Sequence, residues 1–361
     1  MTNNSMIEGP RGARTNEFTE VLDFQNYVFR SNQGRQPTMG SDYPHLYREN
    51  NCDNLRHMRD DGQVISCVCV YPAQIQWDQA VLKIGGIGGV ATHPDYRKQG
   101  HAGKVLQDCI DMMKSQDYDL SILWTGINGY YRRWGWENAG HQHYFKIDRS
   151  TIGYLPSAPS GEILTDTRDP RMIDGVLKLH RKMARGIVWD TELTEIMLNI
   201  LYKNSAMLLM VDNKPAGYII YNRGGATHVK MWGGATESVL GLLRVAFGQQ
   251  NARDAEIESP LGDTGPGQWL MGRGFHAQTE MAGMLLLINP ERILRKYGID
   301  DIAIAPVSDD WMSWNVTIDG ETKSYTRNEL SKLIFGPEHQ PGKHTHPRLP
   351  VPIFYGGVDH M

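Results

Sequence analysis

Residues 90–104 read VATHPDYRKQGHAGK and lie between two apolar segments of different periodicity. The segment before them, residues 81–89, is apolar and rich in glycine, which predicts a strand. In the segment after them, apolar residues recur at spacings of one, three and four, which predicts a helix: Val105, Leu106, Cys109, Ile110 and Met113. We therefore expect a strand, a tight loop and the start of a helix.

A loop that leads into a helix in this way can bind an anion. Several backbone N–H groups converge at its end, and the helix dipole adds partial positive charge there. Such a nest most often binds a phosphate. Gly100 lets the backbone approach a ligand closely, and Ala102 and Gly103 keep bulky side chains out of the way. Formal positive charge comes from Arg97, Lys98 and Lys104.

The two common phosphate-binding patterns are absent from this loop. It contains neither G-x-x-x-x-G-K-[ST] nor G-x-G-x-x-G, so a nucleoside triphosphatase and a dinucleotide-binding fold are both disfavoured. The pattern that fits is Arg97-x-x-Gly100-x-Ala102, which resembles the [RQ]-x-x-G-x-[GA] pyrophosphate loop of the GNAT N-acetyltransferases. The alternative is an ordinary strand–helix turn that contains glycine.

The GNAT resemblance implies an acetyl-CoA site. The thioester of acetyl-CoA would lie against the strand that contains Val90. The far side of the site would be the end of a second buried strand at residues 119–125. The residues that the resemblance assigns to acetyl-CoA are Val90, Ala91, Thr92, Arg97, Lys98, Gln99, Gly100, His101, Ala102, Gly103, Gly126 and Asn128.

A second motif follows that strand. Residues 130–136 read YYRRWGW and resemble the Y-x-x-x-G-[FYW] signature of GNAT enzymes, with Tyr131 at the tyrosine position and Gly135 closing a short helix. A phenol with a pKa near 10 is protonated at neutral pH and can donate a proton to a leaving thiolate. The alternative role for Tyr131 is that of a packed aromatic side chain.

Composition excludes several other classes. The net charge of −4 disfavours a general nucleic-acid binder, and a hydrophobic content of 40% is ordinary for a globular chain. No apolar run is long enough for a membrane span, and the N-terminus lacks a signal-peptide core. Cys67 and Cys69 alternate in an apolar strand and are expected in the core. A cytoplasmic location is the default expectation.

The order of elements suggests an internal repeat followed by a small unit. After a linker near residues 156–161, helices are predicted at 173–184 and 193–201, and a strand–helix–strand series ends with Gly274-Phe275, which corresponds to Gly135-Trp136. Where the first copy has its basic loop, residues 233–238 read GGATES, without a basic residue. After residue 289 a hairpin and a helix precede a proline-rich tail, whose histidines at 339, 344 and 346 are expected to be solvated.

This arrangement resembles the enhanced intracellular survival (Eis) family of N-acetyltransferases over nearly the whole chain. The resemblance implies an α/β fold of mixed sheets with an N-terminal GNAT domain (1–150), a degenerate GNAT-like domain (151–288) and a short sterol-carrier-like unit (289–361). It also implies a homo-oligomer, often a hexamer, with no metal. In that family the tyrosine is the general acid and the terminal carboxylate the base, which here are Tyr131 and Met361. Asp359, His360 or a water are the alternatives for the base.

The expected function is transfer of an acetyl group from acetyl-CoA to a primary amine: an aminoglycoside, a polyamine or a lysine-like acceptor. The acceptor must lose a proton before it attacks the thioester, and the sulfur must gain one as it leaves. The main alternative is a non-catalytic acyl-CoA sensor or binding module, and a carrier of hydrophobic ligands in the C-terminal unit is a third. The sequence does not identify the acceptor, and neither a nucleic-acid nor a membrane partner is expected.

Overall fold

A computed structural model describes residues 6–188, 204–222, 226–308, 311–337 and 341–355, together with Thr194. Apart from Thr194, the predicted helix at 193–201 lies outside these residues, as does the C-terminal Met361. None of the described helices combines the length and the apolar composition that crossing a lipid bilayer requires. No three His, Cys, Asp or Glu side chains in the described ranges are grouped closely enough to hold a metal ion.

The first half consists of strands that pair mostly antiparallel, with helices between them. Its strands are β1 (Ile7–Gly12), β2 (Leu55–Asp60), β3 (Gln63–Trp77), β4 (Ala80–Thr92), β5 (Leu120–Leu123) and β6 (Glu137–Asp148). Its helices are α1 (Phe18–Phe29), α2 (Met39–Asp42), α3 (His101–Ser115) and α4 (Asn128–Arg132).

Apolar periodicity accounts for most of these elements. The five apolar residues predicted to face inward on α3 are all completely buried, and so are Cys67 and Cys69 on β3. The apolar spacing of residues 16–30 predicts that Val21, Tyr27 and Val28 face inward on α1. Val21 and Val28 are buried, but the expectation for Tyr27 is wrong. The Tyr27 side chain is 38% exposed and stacks on the ring of His93 with 5.4 Å between the ring centroids.

The second half repeats this order of elements. Its strands are β7 (Glu162–Leu164), β8 (Arg185–Ile187), β9 (Ser205–Val211), β10 (Lys214–Tyr221), β11 (Thr227–Gly234), β12 (Asp254–Pro260) and β13 (Ala277–Leu287). Its described helices are α5 (Pro170–His180), α6 (Thr236–Gln250) and α7 (Pro266–Gly272). The predicted strand–helix–strand series is confirmed, and the helix predicted at 173–184 is present as α5 but ends at His180.

The two halves share one sheet. Thirteen of the described strands form it, in the order β1-β2-β3-β4-β5-β13-β6-β12-β11-β10-β9-β7, with β8 paired to β3. Strand β13 from the second half lies between β5 and β6 of the first, and β6 in turn pairs with β12. The sheet therefore runs without interruption across the boundary predicted at residue 150, and that division into domains stays a prediction.

A smaller unit follows. Helix α8 (Pro290–Lys296) precedes a three-stranded sheet of β14 (Ala303–Pro306), β15 (Ser313–Ile318) and β16 (Glu321–Thr326), and helix α9 (Arg327–Phe335) then packs against β6 and β13. The predicted hairpin and helix are confirmed. The guanidinium of Arg327 is completely buried and donates hydrogen bonds to the carbonyls of Leu287 and Trp311, which attaches this unit to the main sheet.

The proline-rich tail packs against this unit. The side chains of His344 and His346 are only 7% and 9% exposed, so the expectation that they are solvated is wrong for both. His344 is 3.2 Å from the Tyr325 hydroxyl, and His346 is 3.2 Å from a carboxylate oxygen of Asp301. His339 lies outside the described residues.

Candidate active site

The predicted phosphate loop connects β4 to α3. Strand β4 ends at Thr92, a short 3₁₀ turn follows at Pro94–Tyr96, and α3 begins after Gly100. Gly100 has a φ of +83°, a left-handed conformation that glycine adopts without strain, and Lys98 has a φ of +63°. The N–H groups of the first helical turn have no carbonyl partner within the helix and are available to an anion.

Gly103 also has a packing role that was not predicted. A Cβ atom at this position would lie 2.6 Å from Cζ2 of Trp134, so the missing side chain lets α3 approach the indole ring of Trp134. A Cβ atom at Gly100 would meet nothing within 4 Å, which leaves its outer side open to a ligand.

A cleft of about 440 Å³ runs along this loop. Eight of the predicted acetyl-CoA residues line it: Val90, Thr92, Arg97, Lys98, Gly100, His101, Ala102 and Gly103. It is completed by Tyr96, Ile127, Tyr130 and Tyr131, which come from the 3₁₀ turn and from the segment after β5.

Four predicted residues do not line this cleft. Ala91 is buried, and its carbonyl accepts a hydrogen bond of 2.9 Å from the Ser66 hydroxyl. The Gln99 side chain turns back to the carbonyl of Asp95 at 3.2 Å. Gly126 and Asn128 flank Ile127, which does line the cleft.

The cleft continues into a gap between β4 and β5. These parallel strands pair only from Ile84 to Gly86, opposite residues 120–122. On the other edge of β4 the register with β3 shifts between Gly88 and Ala91, which indicates a bulge at Gly89 and Val90. The edge of β4 that faces β5 is therefore unpaired beyond Gly86, and an extended ligand could pair with it as an added strand would.

A completely buried glutamine supports the bulge. Gln25 on α1 donates a hydrogen bond of 2.8 Å from Nε2 to the carbonyl of Gly89 and accepts one of 3.2 Å at Oε1 from the Tyr47 hydroxyl. Gly89 itself has a φ of +56°. Sequence reasoning missed Gln25, although its position, four residues after Val21 on the buried face of α1, was an available signal because polar residues are rarely buried there without a partner.

A second cavity, of about 240 Å³, lies on the other side of this bulge, and we call it the acceptor cavity. The GNAT resemblance leads us to expect that the loop at residues 31–48 shapes an acceptor pocket, a plain surface loop being the alternative. This loop supplies Met39, Tyr43, Leu46 and Tyr47 to the wall. Helix α1 and the loop after it supply Phe29 and Arg30, strand β4 supplies residues 87–90, and β5 and the following segment supply Leu123 and Trp124.

Tyr131 is the residue that joins the two spaces. It lines both the cleft and the acceptor cavity, as does Val90. Burial raises the pKa of Tyr131 to about 12, with a smaller contribution from Tyr130, so its phenol stays protonated at neutral pH. Its hydroxyl makes no hydrogen bond with any residue that the structure describes and is therefore available to a bound molecule.

The predicted base, Met361, lies outside the described residues. The last described residue is Tyr355, which is buried and packs on Trp124 with 4.8 Å between ring centroids. Trp124 lines the acceptor cavity and donates a hydrogen bond of 2.9 Å to the carbonyl of Ala282. The described part of the tail thus reaches the wall of the acceptor cavity.

The corresponding region of the second half has no comparable loop. Strand β11 ends at Gly234 and α6 begins at Thr236, so only Ala235 separates the strand from the helix. Glu237 occupies the first turn of α6 and would repel an anion. This supports the interpretation that the second half does not bind acetyl-CoA.

Comparison with known proteins gives a family for the first half. Residues 10–139 match the model of the acetyltransferase (GNAT) domain family. No curated protein is similar to this chain at the level of sequence.

Solved structures share the fold over nearly the whole chain. A protein of Enterococcus faecalis described as a probable N-acyltransferase is 18% identical, with 90% of this chain and 85% of that chain covered and a TM-score of 0.64. A GCN5-related N-acetyltransferase of Anabaena variabilis is 14% identical (92% and 90% covered, TM-score 0.63). Eis1 of Mycobacterium abscessus is 12% identical (90% and 88% covered, TM-score 0.61). At these identities the likeness shows the fold alone.

Proposed function

We propose that this chain, whose residues 10–139 form a GNAT acetyltransferase domain, transfers the acetyl group of acetyl-CoA directly to a primary amine, with Tyr131 as the general acid. The observation that carries the proposal is the position of Tyr131, which lines both the cleft beside the anion-binding loop and the acceptor cavity. A donor thioester at the end of the cleft and an amine in the acceptor cavity would meet at this phenol.

The loop is suited to the pyrophosphate of acetyl-CoA. The free N–H groups at the start of α3 provide hydrogen bonds, and Arg97 and Lys98 add positive charge at the wall of the cleft. The unpaired edge of β4 beyond Gly86 provides backbone groups for the pantetheine arm, whose amides can pair as a strand does. The bulge at Gly89 and Val90 ends this edge beside Tyr131.

The chemistry requires two proton transfers. The acceptor must be a neutral amine to attack the thioester carbon, and the thiolate that leaves must be protonated. Because the pKa of Tyr131 is raised to about 12, the phenol holds its proton at neutral pH and can give it to the sulfur. Removal of the amine proton by the carboxylate of Met361 stays a prediction, as do a hexameric state and a sterol-carrier-like C-terminal unit.

Turnover tests the proposal. Release of free CoA thiol from acetyl-CoA is followed with a panel of primary amines, for the unmodified protein and for Tyr131→Phe. Loss of one hydroxyl should leave folding intact and lower kcat by about 10² or more, the usual range for a general acid. Tyr130→Phe is the matched control, because Tyr130 is adjacent but lines only the cleft beside the loop and not the acceptor cavity.

The same experiment decides against the alternatives. Wild-type turnover in folded Tyr131→Phe would reduce Tyr131 to a packing role and move the acid to Tyr130 or to a water. A protein that binds acetyl-CoA but releases no thiol with any amine would be an acyl-CoA sensor or binding module instead.

A further inference from the structure

The side chain of Gln25 is a polar group in an otherwise apolar layer between α1 and the sheet. It is completely buried, and its partners are the carbonyl of Gly89 at 2.8 Å, the hydroxyl of Tyr47 at 3.2 Å and the thiol of Cys69 at 3.8 Å. Burial of an amide is unfavourable unless the amide is hydrogen-bonded. The group that this amide serves is the carbonyl of Gly89.

That carbonyl belongs to a peptide that the sheet does not hold. The register of β3 and β4 places Gly89 and Val90 together opposite the single residue Val68, and the pairing with β5 has already ended at Gly86. A bulge of this kind takes its extra residue out of the ladder, and a glycine with a φ of +56° can adopt other conformations as well. The hydrogen bond from Gln25 therefore fixes the direction of the Gly89 carbonyl.

The direction of this carbonyl decides where the next N–H points. Helices α1 and α3 cover opposite faces of the sheet, since their buried side chains belong to two different apolar clusters. In a trans peptide the C=O and the N–H point in opposite directions. With the carbonyl of Gly89 directed to α1, the N–H of Val90 is directed to the face where the cleft beside α3 lies.

A backbone N–H in this place suits the carbonyl oxygen of a thioester. Negative charge develops on that oxygen as the amine attacks, and a donor that is already oriented stabilises it without having to turn during the reaction. Val90 lines both the cleft and the acceptor cavity, so its peptide lies where the two substrates would meet.

We propose, on the basis of the function proposed above, that Gln25 is a positioning residue for acetyl transfer, whose amide holds the Gly89–Val90 peptide with its N–H toward the acetyl carbonyl. Gln25 itself lines neither the cleft nor the acceptor cavity and acts through this peptide. The Tyr47 hydroxyl donates to Oε1 of Gln25 and thereby turns Nε2, the donor, to the carbonyl of Gly89.

The affinities for acetyl-CoA and for CoA test this role without turnover. CoA has the same nucleotide and pantetheine arm but no acetyl carbonyl, so the ratio of the two Kd values reports the contact at that carbonyl. Gln25→Met has a similar length but no hydrogen-bonding group. We expect calorimetry to show acetyl-CoA bound about three- to tenfold more weakly, the effect of one hydrogen bond, at unchanged affinity for CoA. An unchanged ratio of the two Kd values would overturn the proposal.

Turnover gives a second readout. In Gln25→Met the kcat for thiol release with the best amine of the panel should fall by at least about tenfold, because the donor for the developing charge is no longer oriented. The KM for acetyl-CoA should change less than kcat. A loss that appears only in the KM for acetyl-CoA would contradict a role in the reaction.

Gln25→Glu keeps the shape of the side chain but makes the donor depend on pH. Burial in an apolar layer raises the pKa of a carboxyl group. The protonated group can donate to the carbonyl of Gly89, whereas the ionised group repels it. The activity of this variant relative to the unmodified protein should therefore fall as the pH rises through the raised pKa. Parallel pH profiles of the two proteins would overturn the proposal.

Gln250→Met is the matched control. In the second half, Nε2 of Gln250 donates to the carbonyl of Asn222 at 3.1 Å and Oε1 accepts from the Thr227 hydroxyl at 2.9 Å, so the amide makes the same two kinds of hydrogen bond. This variant should lose stability in denaturant titrations but keep the ratio of Kd values and kcat. Equal losses of kcat in Gln25→Met and Gln250→Met would reduce Gln25 to a structural role.

Binding separates a failure of this inference from a failure of the proposed function. If the unmodified protein binds acetyl-CoA but releases no thiol with any amine, the proposed enzyme is wrong, and the ratio of Kd values still decides whether Gln25 positions the peptide. If thiol release is normal and the ratio does not respond to Gln25→Met, the enzyme stands and the role of Gln25 is wrong. A protein that does not bind acetyl-CoA overturns both.

Discussion

Replacing Gly89 with alanine should disturb the active site through one methyl group. Gly89 has a φ of +56°, and a Cβ atom there would lie 2.7 Å from the Tyr47 hydroxyl oxygen and 3.0 Å from both Oε1 of Gln25 and Sγ of Cys69. Gln25 and Tyr47 are the residues that support the bulge, so they must move if the methyl group is to fit.

The magnitude follows from three contributions. A left-handed conformation costs a non-glycine residue roughly 1–2 kcal/mol. Forcing an extra methyl group into packed surroundings costs typically about 1–3 kcal/mol more, and the hydrogen bond from Gln25 to the Gly89 carbonyl, worth about 0.5–1.5 kcal/mol, is put at risk. We therefore expect a loss of about 3–5 kcal/mol in the free energy of unfolding.

Gly62→Ala is the matched control. Gly62 has a φ of +82°, but a Cβ atom there would meet nothing within 4 Å. Both variants lose the same conformational freedom in the unfolded chain, so their difference in denaturant titrations isolates the steric contribution at the bulge. Because small displacements at a reacting centre are costly, Gly89→Ala should also lower kcat/KM by about tenfold or more, and Gly62→Ala should not. Equal stability and native turnover in both variants would refute this account of the bulge.

Four further outcomes are expected. Gly100→Asp should abolish acetyl-CoA binding in calorimetry, because its carboxylate faces the anion site, whereas Gly100→Ala should retain most of it; unchanged affinity in Gly100→Asp would disprove the loop assignment. Because the pKa of Tyr131 is about 12, kcat should show no loss from an ionising acid below about pH 10, and a basic limb near pH 8 would point to another group. One glycine added after Met361 moves the terminal carboxylate but keeps every side chain, so turnover should fall at unchanged acetyl-CoA affinity if that carboxylate is the base. Full activity in the extended protein, together with loss of activity in the double variant Asp359→Asn and His360→Ala, would assign the base to a side chain. Burial lowers the pKa of His45, His57 and His180 to about 4. Between about pH 6.5 and 4 the unfolded chain therefore binds more protons than the folded chain, and denaturant titrations should show the free energy of unfolding falling by up to about 1.4 kcal/mol per pH unit for each histidine as the pH drops through this range. A flat profile would contradict the burial of these side chains.

The sequence predicted those parts of the site that depend on local pattern. The loop from β4 to α3 and the short helix before Gly135 follow from glycine positions and apolar spacing, which act over a few residues. The meeting of Tyr131 with the loop at one cleft agrees with the family resemblance that assigned both to one site.

The parts that were missed depend on contacts distant in sequence. Gln25 reaches Gly89 across 64 positions, and no local pattern encodes that hydrogen bond. The burial of His344 and His346 likewise depends on Tyr325 and Asp301, which lie 19 and 45 positions away in the sequence. The internal repeat did not predict the order of strands in the sheet. The last strand of each half has the same apolar periodicity whether it pairs within its own half or with strands of the other half.

The placement of β13 has a consequence for how the chain reaches its folded state. The family match ends at residue 139, yet β5 borders the active site and obtains its second neighbour only from residues 284–287. During synthesis the first half would emerge with β5 and β6 carrying open edges until the ribosome has added more than a hundred further residues. Such exposed edges are sites of aggregation and of exchange between chains, and pairings this distant in sequence form slowly. A fragment that ends near residue 150 should therefore be recovered as an oligomer or an aggregate, and adding the peptide of residues 277–287 in trans should partly restore its native spectrum.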